Sequence, residues 1–577
     1  MSQGAILRRE LLNDVSRGTL CNPICTYMEP RLAPDEHTTA RQAFSSLHGY
    51  SIPSLSVPIA ALRIMLAIIL VFVSSMIIVL RSFLLRKNLT DAKGNPLPPG
   101  PPHRYAFLRR YPEKPLYKWA KKYGPIYSVW MGDQLFVVIN DASVARDLLV
   151  VHGSNFSSRW SYFMKNQTIL GGGAITASPY NDTWRKHRKI AMWLLHSKAV
   201  DTYAGTIDYE AHMLARSLYE ASARGKTAVD PAHFAGRFAL NNMLTLAFGI
   251  RTVSASEPLV AEAIRLGMEF MRLTGPWTNM IDFIKVLQWL PTPSRASARQ
   301  LHSDFLYVYG AMINQVKERI DSGEEVPDCL VKTLLNCQHE EELSWKDMCF
   351  IVIAFTTGGV HSTSGIIEWF LALMPSHPHV QAKACEELDR VVGRHAWPTA
   401  SDEMKLPYCR AIIKEVLRVH APFWMGTPHC SDEDFVYNGY YIPKNTTMVL
   451  NVYALHHDED RYQDPWTFNP DRYLGDELSS SESAKQSNVH LRDHWAFGAG
   501  RRLCPGMVMA ERELWMALSR LLWAFRVEEV PGDPISLDEY EGLSGRTPLP
   551  FRVKLQPRHE NVQDILLEKD EVSITVF

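Results

Sequence analysis

Hydrophobic positions along this chain follow three patterns, each predicting a different element. The first pattern is unbroken. From Ile64 to Leu80 the chain reads IMLAIILVFVSSMIIVL, uncharged, with only Ser74 and Ser75 among the apolar residues. As a helix rising about 1.5 Å per residue it reaches roughly 26 Å, close to a thin bilayer core. Arg63 and Arg81 bracket it and can snorkel, and Arg81, Arg86 and Lys87 place its C-terminal side in the cytosol. No amphipathic stripe suits it to a soluble core. The spacing predicts a transmembrane anchor over residues 61–85. Residues 1–60 precede it as a lumenal or disordered extension, too long for a cleaved signal peptide. Proline-rich residues Pro96–Pro102 follow, so 86–102 is expected to be a stiff, extended hinge.

The second pattern is made of β-branched and aromatic runs broken at two-residue turns. Tyr127–Ile139 is β-branched and aromatic around Gly132-Asp133, and Val436–Asn451 turns at Asn438-Gly439. Both read as hairpins. The third pattern is helical, from Trp184 to Lys317 and from Trp345 to Met374. The latter predicts a helix of roughly 45 Å, stopped by Pro375. The expected class is mainly α with smaller β-sheets, in a catalytic domain over 103–560 with a short tail over 561–577.

Composition changes this picture little. The chain has 577 residues and a net charge of −1, so no global field selects nucleic acid. Nine cysteines are too scattered for a disulfide framework. Seven of them, from Cys329 to Cys504, read as reduced thiols facing the cytosol, while Cys21 and Cys25 can pair if their segment is lumenal. Five glycosylation sequons, at Asn88, Asn155, Asn166, Asn181 and Asn445, lie beyond the anchor and stay unmodified if that side is cytosolic. Gly171-Gly172-Gly173 lacks the Lys-Ser/Thr of a phosphate loop, and no flavin or nicotinamide domain is present.

The chemistry concentrates in Phe497-Gly498-Ala499-Gly500-Arg501-Arg502-Leu503-Cys504-Pro505-Gly506. A thiolate needs positive charge and N–H donors to stay ionised. Gly500 and Gly506 let the backbone curl around the sulfur. Arg502 supplies charge, and the helix opened by Pro505 turns its positive end toward Cys504. This pattern, F-G-x-G-x-R-x-C-x-G, resembles the haem-binding signature of the cytochrome P450 family. Glu415-Val416-Leu417-Arg418, with Arg472 in Phe468–Arg472, resembles the family's Glu-Arg-Arg lock, and the likeness runs from about Pro98 to Pro557.

The resemblance implies a triangular-prism fold with one N-terminal transmembrane helix, haem b as cofactor, and Cys504 as the axial iron ligand. It implies that Trp184, Arg188, His429 and Arg502 serve the two haem propionates and that Phe497 packs beside the cofactor. In the long helix, Gly358-Gly359-Val360-His361-Ser362-Thr363 takes the oxygen-activation position, with His361 where the family usually has a carboxylate and Ser362 where it has Thr. His361, Ser362 and Thr363 are the catalytic candidates. Gly358 and Gly359 fit a widened helix turn. His361 is read as a proton relay, a bystander or an iron ligand.

The implied activity is insertion of one oxygen atom of O2 into a lipophilic small molecule, a terpenoid or polyketide by likeness to fungal secondary-metabolism members. The stretch after Cys504 is too short for a fused reductase, so electrons are expected from a separate NADPH-cytochrome P450 reductase, with cytochrome b5 a further partner, at the endoplasmic reticulum membrane. Lys186, Arg188, Lys189 and Arg501 are candidates for the docking face. The substrate pocket is expected from Trp160–Met164, Phe355, Phe423-Trp424-Met425 and the turn near Leu543. A haem-thiolate isomerase or dehydratase and a non-enzymatic haem-binding membrane protein are the alternatives. A zinc hydrolase is discarded: His339-Glu340 and His456-His457-Asp458 lack ligand spacing.

Overall fold

The computed structural model describes residues 59–84, 87–103, 111–253, 258–275, 279–542 and 545–567. The expectations for residues 1–58, with Cys21 and Cys25, for Leu543 and for the tail beyond 567 lie outside the described residues. The chain divides into two units, Met1–Ser82 and Phe83–Phe577.

The first unit holds all but the last two residues of helix α1, Ile59–Leu84. The apolar side chains from Met65 to Val73 are exposed, Phe72 by 69%. Each Å² of such surface left in water costs about 25 cal/mol, so a stripe this long needs a cover.

The second unit is mainly helical. Its helices used below are α2 (Asp182–Leu195), α3 (Ala232–Phe248), α4 (Pro258–Leu273), α5 (Trp345–Leu373), α6 (Pro407–Val419) and α7 (Met507–Ala524). Helix α5 starts at a capping box between Ser344 and Asp347, which satisfies its free N–H groups reciprocally. It is apolar and long enough to cross a membrane, but it is buried in the body. Apolar side chains of α2, α3, α5, α6 and α7 merge in one core. Pro375 falls in a 3-10 turn, Met374–Ser376, that closes α5 as expected.

The strands correct part of the sequence reading. β1 (Ile126–Met131) and β2 (Gln134–Ile139) form the expected hairpin around Gly132-Asp133. β3 is His429–Cys430. The second region is not one hairpin. β4 (Phe435–Tyr437) and β5 (Tyr440–Ile442) pair across Asn438-Gly439, both left-handed at φ 49° and 79°, as a tight two-residue turn demands. β6 (Thr447–Leu450) leaves that ribbon and runs parallel to β2, in a sheet ordered β1-β2-β6-β3. Pro443, which has no N–H to donate, sits where the chain changes sheets.

The proline-rich segment is tied to the body through its carbonyls. Pro98 O and Pro99 O accept from Ser128 Oγ (2.6 Å) and Ser128 N (2.7 Å), and Pro96 O accepts from Tyr441 N at 2.8 Å. Prolines lose the donor but keep the carbonyl, so the segment docks along the body by its acceptors. Asn166 of the sequons is buried and donates to Ala177 O at 2.6 Å, which leaves no access for a glycan.

Candidate active site

The cysteine loop is held by its own backbone. Cys504 N donates to Phe497 O at 3.0 Å, closing a ring over Gly498–Leu503. Gly498 and Gly500 are left-handed, at φ 76° and 62°, and a Cβ on Gly500 would lie 2.0 Å from Leu149 O. Glycine is required there by conformation and by contact. Gly506, expected to share this role, is at φ −87° with open space around it; it caps α7 instead.

Cys504, Phe497, Trp184, Arg188, His429, Arg502, Ser362 and Thr363 line one cavity of about 300 Å³ whose surface is mostly apolar. Eight of the nine sequence-assigned site residues therefore meet. His361 does not. Its ring turns to α4, where Nε2 lies 1.9 Å from the place a Cβ on Gly267 would occupy. His361 Nε2 has no hydrogen-bond partner, and burial pushes the imidazole down to about 4. Helix geometry explains the miss: successive residues rotate by about 100°, so the neighbour of a cavity-facing Ser362 faces elsewhere. The relay and ligand readings of His361 lose their geometry, and the bystander reading keeps it.

The expected widened turn at Gly358-Gly359 is absent: α5 is continuous there. Gly358 opens onto the cavity, and a Cβ on Gly359 would lie 2.2 Å from Met243 Sδ, so Gly359 serves the packing of α5 on α3. Ser362 Oγ donates to Gly358 O at 2.7 Å. Thr363 Oγ1 donates to Glu513 Oε2 at 3.1 Å. Glu513, on α7, also lines the cavity, and burial pushes its carboxyl up to about 8.

The cationic wall is built from three segments. Arg502 reaches Ser157 O (2.6 Å) and Ser178 O (2.7 Å) and lies over the Trp184 ring at 4.1 Å. Burial lowers its guanidinium to about 8. Trp184 Nε1 donates to Ile175 O at 3.1 Å, and Arg188 donates to Leu503 O at 2.6 Å, tying α2 to the cysteine loop. Arg159, which the sequence reading passed over, also lines the cavity; its Nε has no partner and burial lowers it to about 9. His429 Nδ1 pairs with Phe156 O at 2.7 Å, so neutral His429 offers Nε2 only as an acceptor and donates to a carboxylate only as imidazolium. Burial raises the Cys504 thiol, opposed by the Gly506 N–H and by Arg188.

This donor set fits a haem. The cavity joins a thiol to three arginines that suit two carboxylates. The unpartnered Arg159 Nε is the observation that a carboxylate would answer. Of the pocket residues expected, Trp160, Tyr162, Phe355 and Phe423 line the cavity. Trp424 packs on Tyr453 at 4.8 Å, and Met425 is buried against the sheet. Of the basic face, Lys189 is paired with Glu341 at 2.6 Å and Arg501 with the Tyr180 hydroxyl at 2.8 Å.

Behind the loop, Glu415 and Arg418 are fully buried and joined by two bonds of 2.7 Å; Arg472 adds a third to Glu415 at 3.1 Å. The pairing expected from sequence is present, inside the protein rather than on its surface.

A helical body whose cysteine loop and long helix share one cavity, with carboxylate donors around it, has the organisation of a haem-thiolate protein. Comparison with known proteins agrees. The cytochrome P450 family model matches residues 98–555. The chain is 32% identical to cytochrome P450 monooxygenase virE of Hypocrea virens over 495 residues, covering 83% of this chain and 88% of the relative. It is 30% identical to cytochrome P450 monooxygenase polD of Polytolypa hystricis, covering 82% and 90%. It is also 30% identical to cytochrome P450 monooxygenase fogE of Aspergillus ruber, covering 84% and 91%. The chain belongs to the cytochrome P450 family. It is an oxidoreductase of the monooxygenase type, with a haem-iron cofactor and NADPH electrons supplied through a reductase.

Proposed function

We propose that this protein hydroxylates a lipophilic secondary metabolite, such as a terpenoid or polyketide, with Cys504 as the residue that would bind the iron of its haem. The observation that carries this reading is one cavity bringing Cys504 together with Arg159, Arg188 and Arg502. Arg188, Arg502 and the added Arg159 would hold the haem carboxylates. Trp184, its N–H already on Ile175 O, would support the Arg502 guanidinium over its ring. His429, kept neutral by burial and by Arg159, would line the site, and Phe497 would pack beside the cofactor. Bound haem iron supplies activation of O2 and transfer of one oxygen atom to carbon. The chain supplies position and protons. Ser362 and Thr363 set hydroxyls at the cavity wall, and Ser362 Oγ, whose proton is on Gly358 O, can accept from water there. Glu513, neutral at pH 7 and bonded to Thr363, is the acid that replaces the carboxylate this chain lacks at position 361. The apolar wall excludes competing water.

Helix α1, with its exposed apolar side chains, is proposed as a single-pass anchor in the endoplasmic reticulum membrane. NADPH-cytochrome P450 reductase, with cytochrome b5 as an auxiliary donor, meets the cytosolic body.

Reconstitution with a reductase tests the reading. Product with one added oxygen atom, dependent on both NADPH and O2 and labelled from 18O2, supports it. Conversion of an oxygenated substrate without either reagent would instead identify an isomerase.

A further inference from the structure

The segment Arg159–Asn166 brings more polar groups to the cavity than cofactor binding uses. Lys165 lies in the π-helical turn Phe163–Ile169 and lines the same cavity as Cys504. Among the described residues its Nζ has no hydrogen bond and no carboxylate partner; it stands 5.8 Å from the centre of the Phe270 ring on α4. Burial, and then the neighbouring cation Arg159, lower its ammonium to about 8. Tyr162, three residues earlier, is 6% exposed, lines the cavity, and its hydroxyl has no partner. The other charged groups on the wall are Arg159, Arg188, Arg502 and Glu513. Glu513 is the one acid among the described lining residues, and it is bonded to Thr363.

An ammonium in an apolar cavity with no counter-charge is unfavourable, and a methionine of similar length would fill the space better. The arrangement becomes favourable when a ligand brings the anion. Arg159, Arg188 and Arg502 suffice for the two cofactor carboxylates, which leaves Lys165 and Tyr162.

We propose that Lys165 and Tyr162 bind an anionic oxygen of the substrate, so that the natural substrate is a lipophilic carboxylic acid. This deepens the monooxygenase reading and rests on it. A charge-assisted bond from Lys165 and a phenol bond from Tyr162 fix the acid end of the molecule, and its apolar remainder runs past Phe270, Phe355 and Phe423.

The test is spectral titration of the haem-loaded full-length protein at pH 7. The probes are octanoic, dodecanoic and 2-naphthoic acids, each beside its methyl ester. At least one acid should bind roughly tenfold or more tightly than its ester, the range of a charged hydrogen bond. Lys165→Met, or Lys165→Gln should the first fold poorly, should bring that ratio near one and leave the ester's Kd unchanged. Lys165→Arg should keep most of the preference. The preference should fade as pH rises past about 8, where free Lys165 loses its proton. No acid preferred over its ester, or a preference that survives loss of Lys165, overturns the proposal. Loss of haem from Lys165→Met, with acid and ester weakened alike, assigns Lys165 to the cofactor and also overturns it. Absence of a thiolate-haem spectrum in the native protein would overturn the parent reading as well, whereas an intact spectrum with equal affinities sinks this proposal alone.

Discussion

His456 Nε2 accepts the backbone N–H of Trp495 at 2.7 Å, and its Nδ1 pairs with Arg418 O at 2.8 Å. An N–H donating to Nε2 fixes the tautomer, so Nδ1 carries the proton to Arg418 O. One imidazole thus couples the Glu415–Arg418 lock to the strand of chain that enters the cysteine loop at Phe497. Arg418 also donates to His456 O at 2.8 Å and Pro465 O at 2.7 Å, so the lock organises backbone on both sides.

Removing one partner from a buried ion pair costs about 3–5 kcal/mol, because the other charge stays buried alone. Glu415→Ala should yield little folded holoprotein, measured as haem per polypeptide after purification. His456→Ala should be milder, at about 1–3 kcal/mol for the stranded Trp495 N–H, and should lower Tm with some haem retained. Normal haem content in Glu415→Ala would show that the lock bears no structural strain.

His361 should prove dispensable for turnover. His361→Ala is expected to leave product formation and coupling to NADPH within about twofold, well short of the hundredfold or more of acid–base catalysis. Gly267→Ala, whose new Cβ meets His361 Nε2, should cost about 1–3 kcal/mol by overpacking. Combining it with His361→Ala should recover most of that loss. A large rise in peroxide release from His361→Ala alone would return the histidine to the proton path.

Glu513→Gln should lower turnover by about a hundredfold or more and raise peroxide release, because it removes the proton donor beside Thr363. The sign of the pH dependence follows from burial. The folded carboxyl stands at about 8, above its ordinary 4.5, so its contribution to stability is full below 4.5 and lost as pH rises through 8. Native turnover should fall past pH 8. The Tm of the native protein should drop more than that of Glu513→Gln between pH 4.5 and 8. Identical activity and coupling in the variant would remove Glu513 from the chemistry.

How much of this was legible in the sequence differs by residue. Cys504 and Glu415–Arg418 were readable because contiguous motifs fix both the residues and their local geometry. Trp184, Arg188, His429 and Arg502 come from three distant segments, and family likeness supplied their convergence. Arg159 and Lys165 could not be read: nothing local distinguishes an arginine or a lysine that tertiary packing turns inward. Glu513 lies three turns or fewer into the helix after Cys504, so its distance along α7 was the available signal. The β6 strand is not separable from the hairpin by sequence because β-branched and aromatic residues recur on both sides of Pro443–Thr446, and composition does not report a change of sheet.

Deleting residues 1–85 should release much of the protein from membranes while leaving haem binding intact, read by fractionation and absorbance. The apolar residues exposed on α1 supply the membrane affinity in this account. Unchanged membrane recovery would place the attachment elsewhere, and loss of haem binding would make α1 part of the catalytic body.

The ferrous carbon monoxide spectrum tests the central claim most directly. With Cys504 as the thiolate ligand, the native protein should show a strongly red-shifted Soret band, and Cys504→Ala should lose that band together with activity. A native spectrum without the shift, or an unchanged band in Cys504→Ala, would contradict the account.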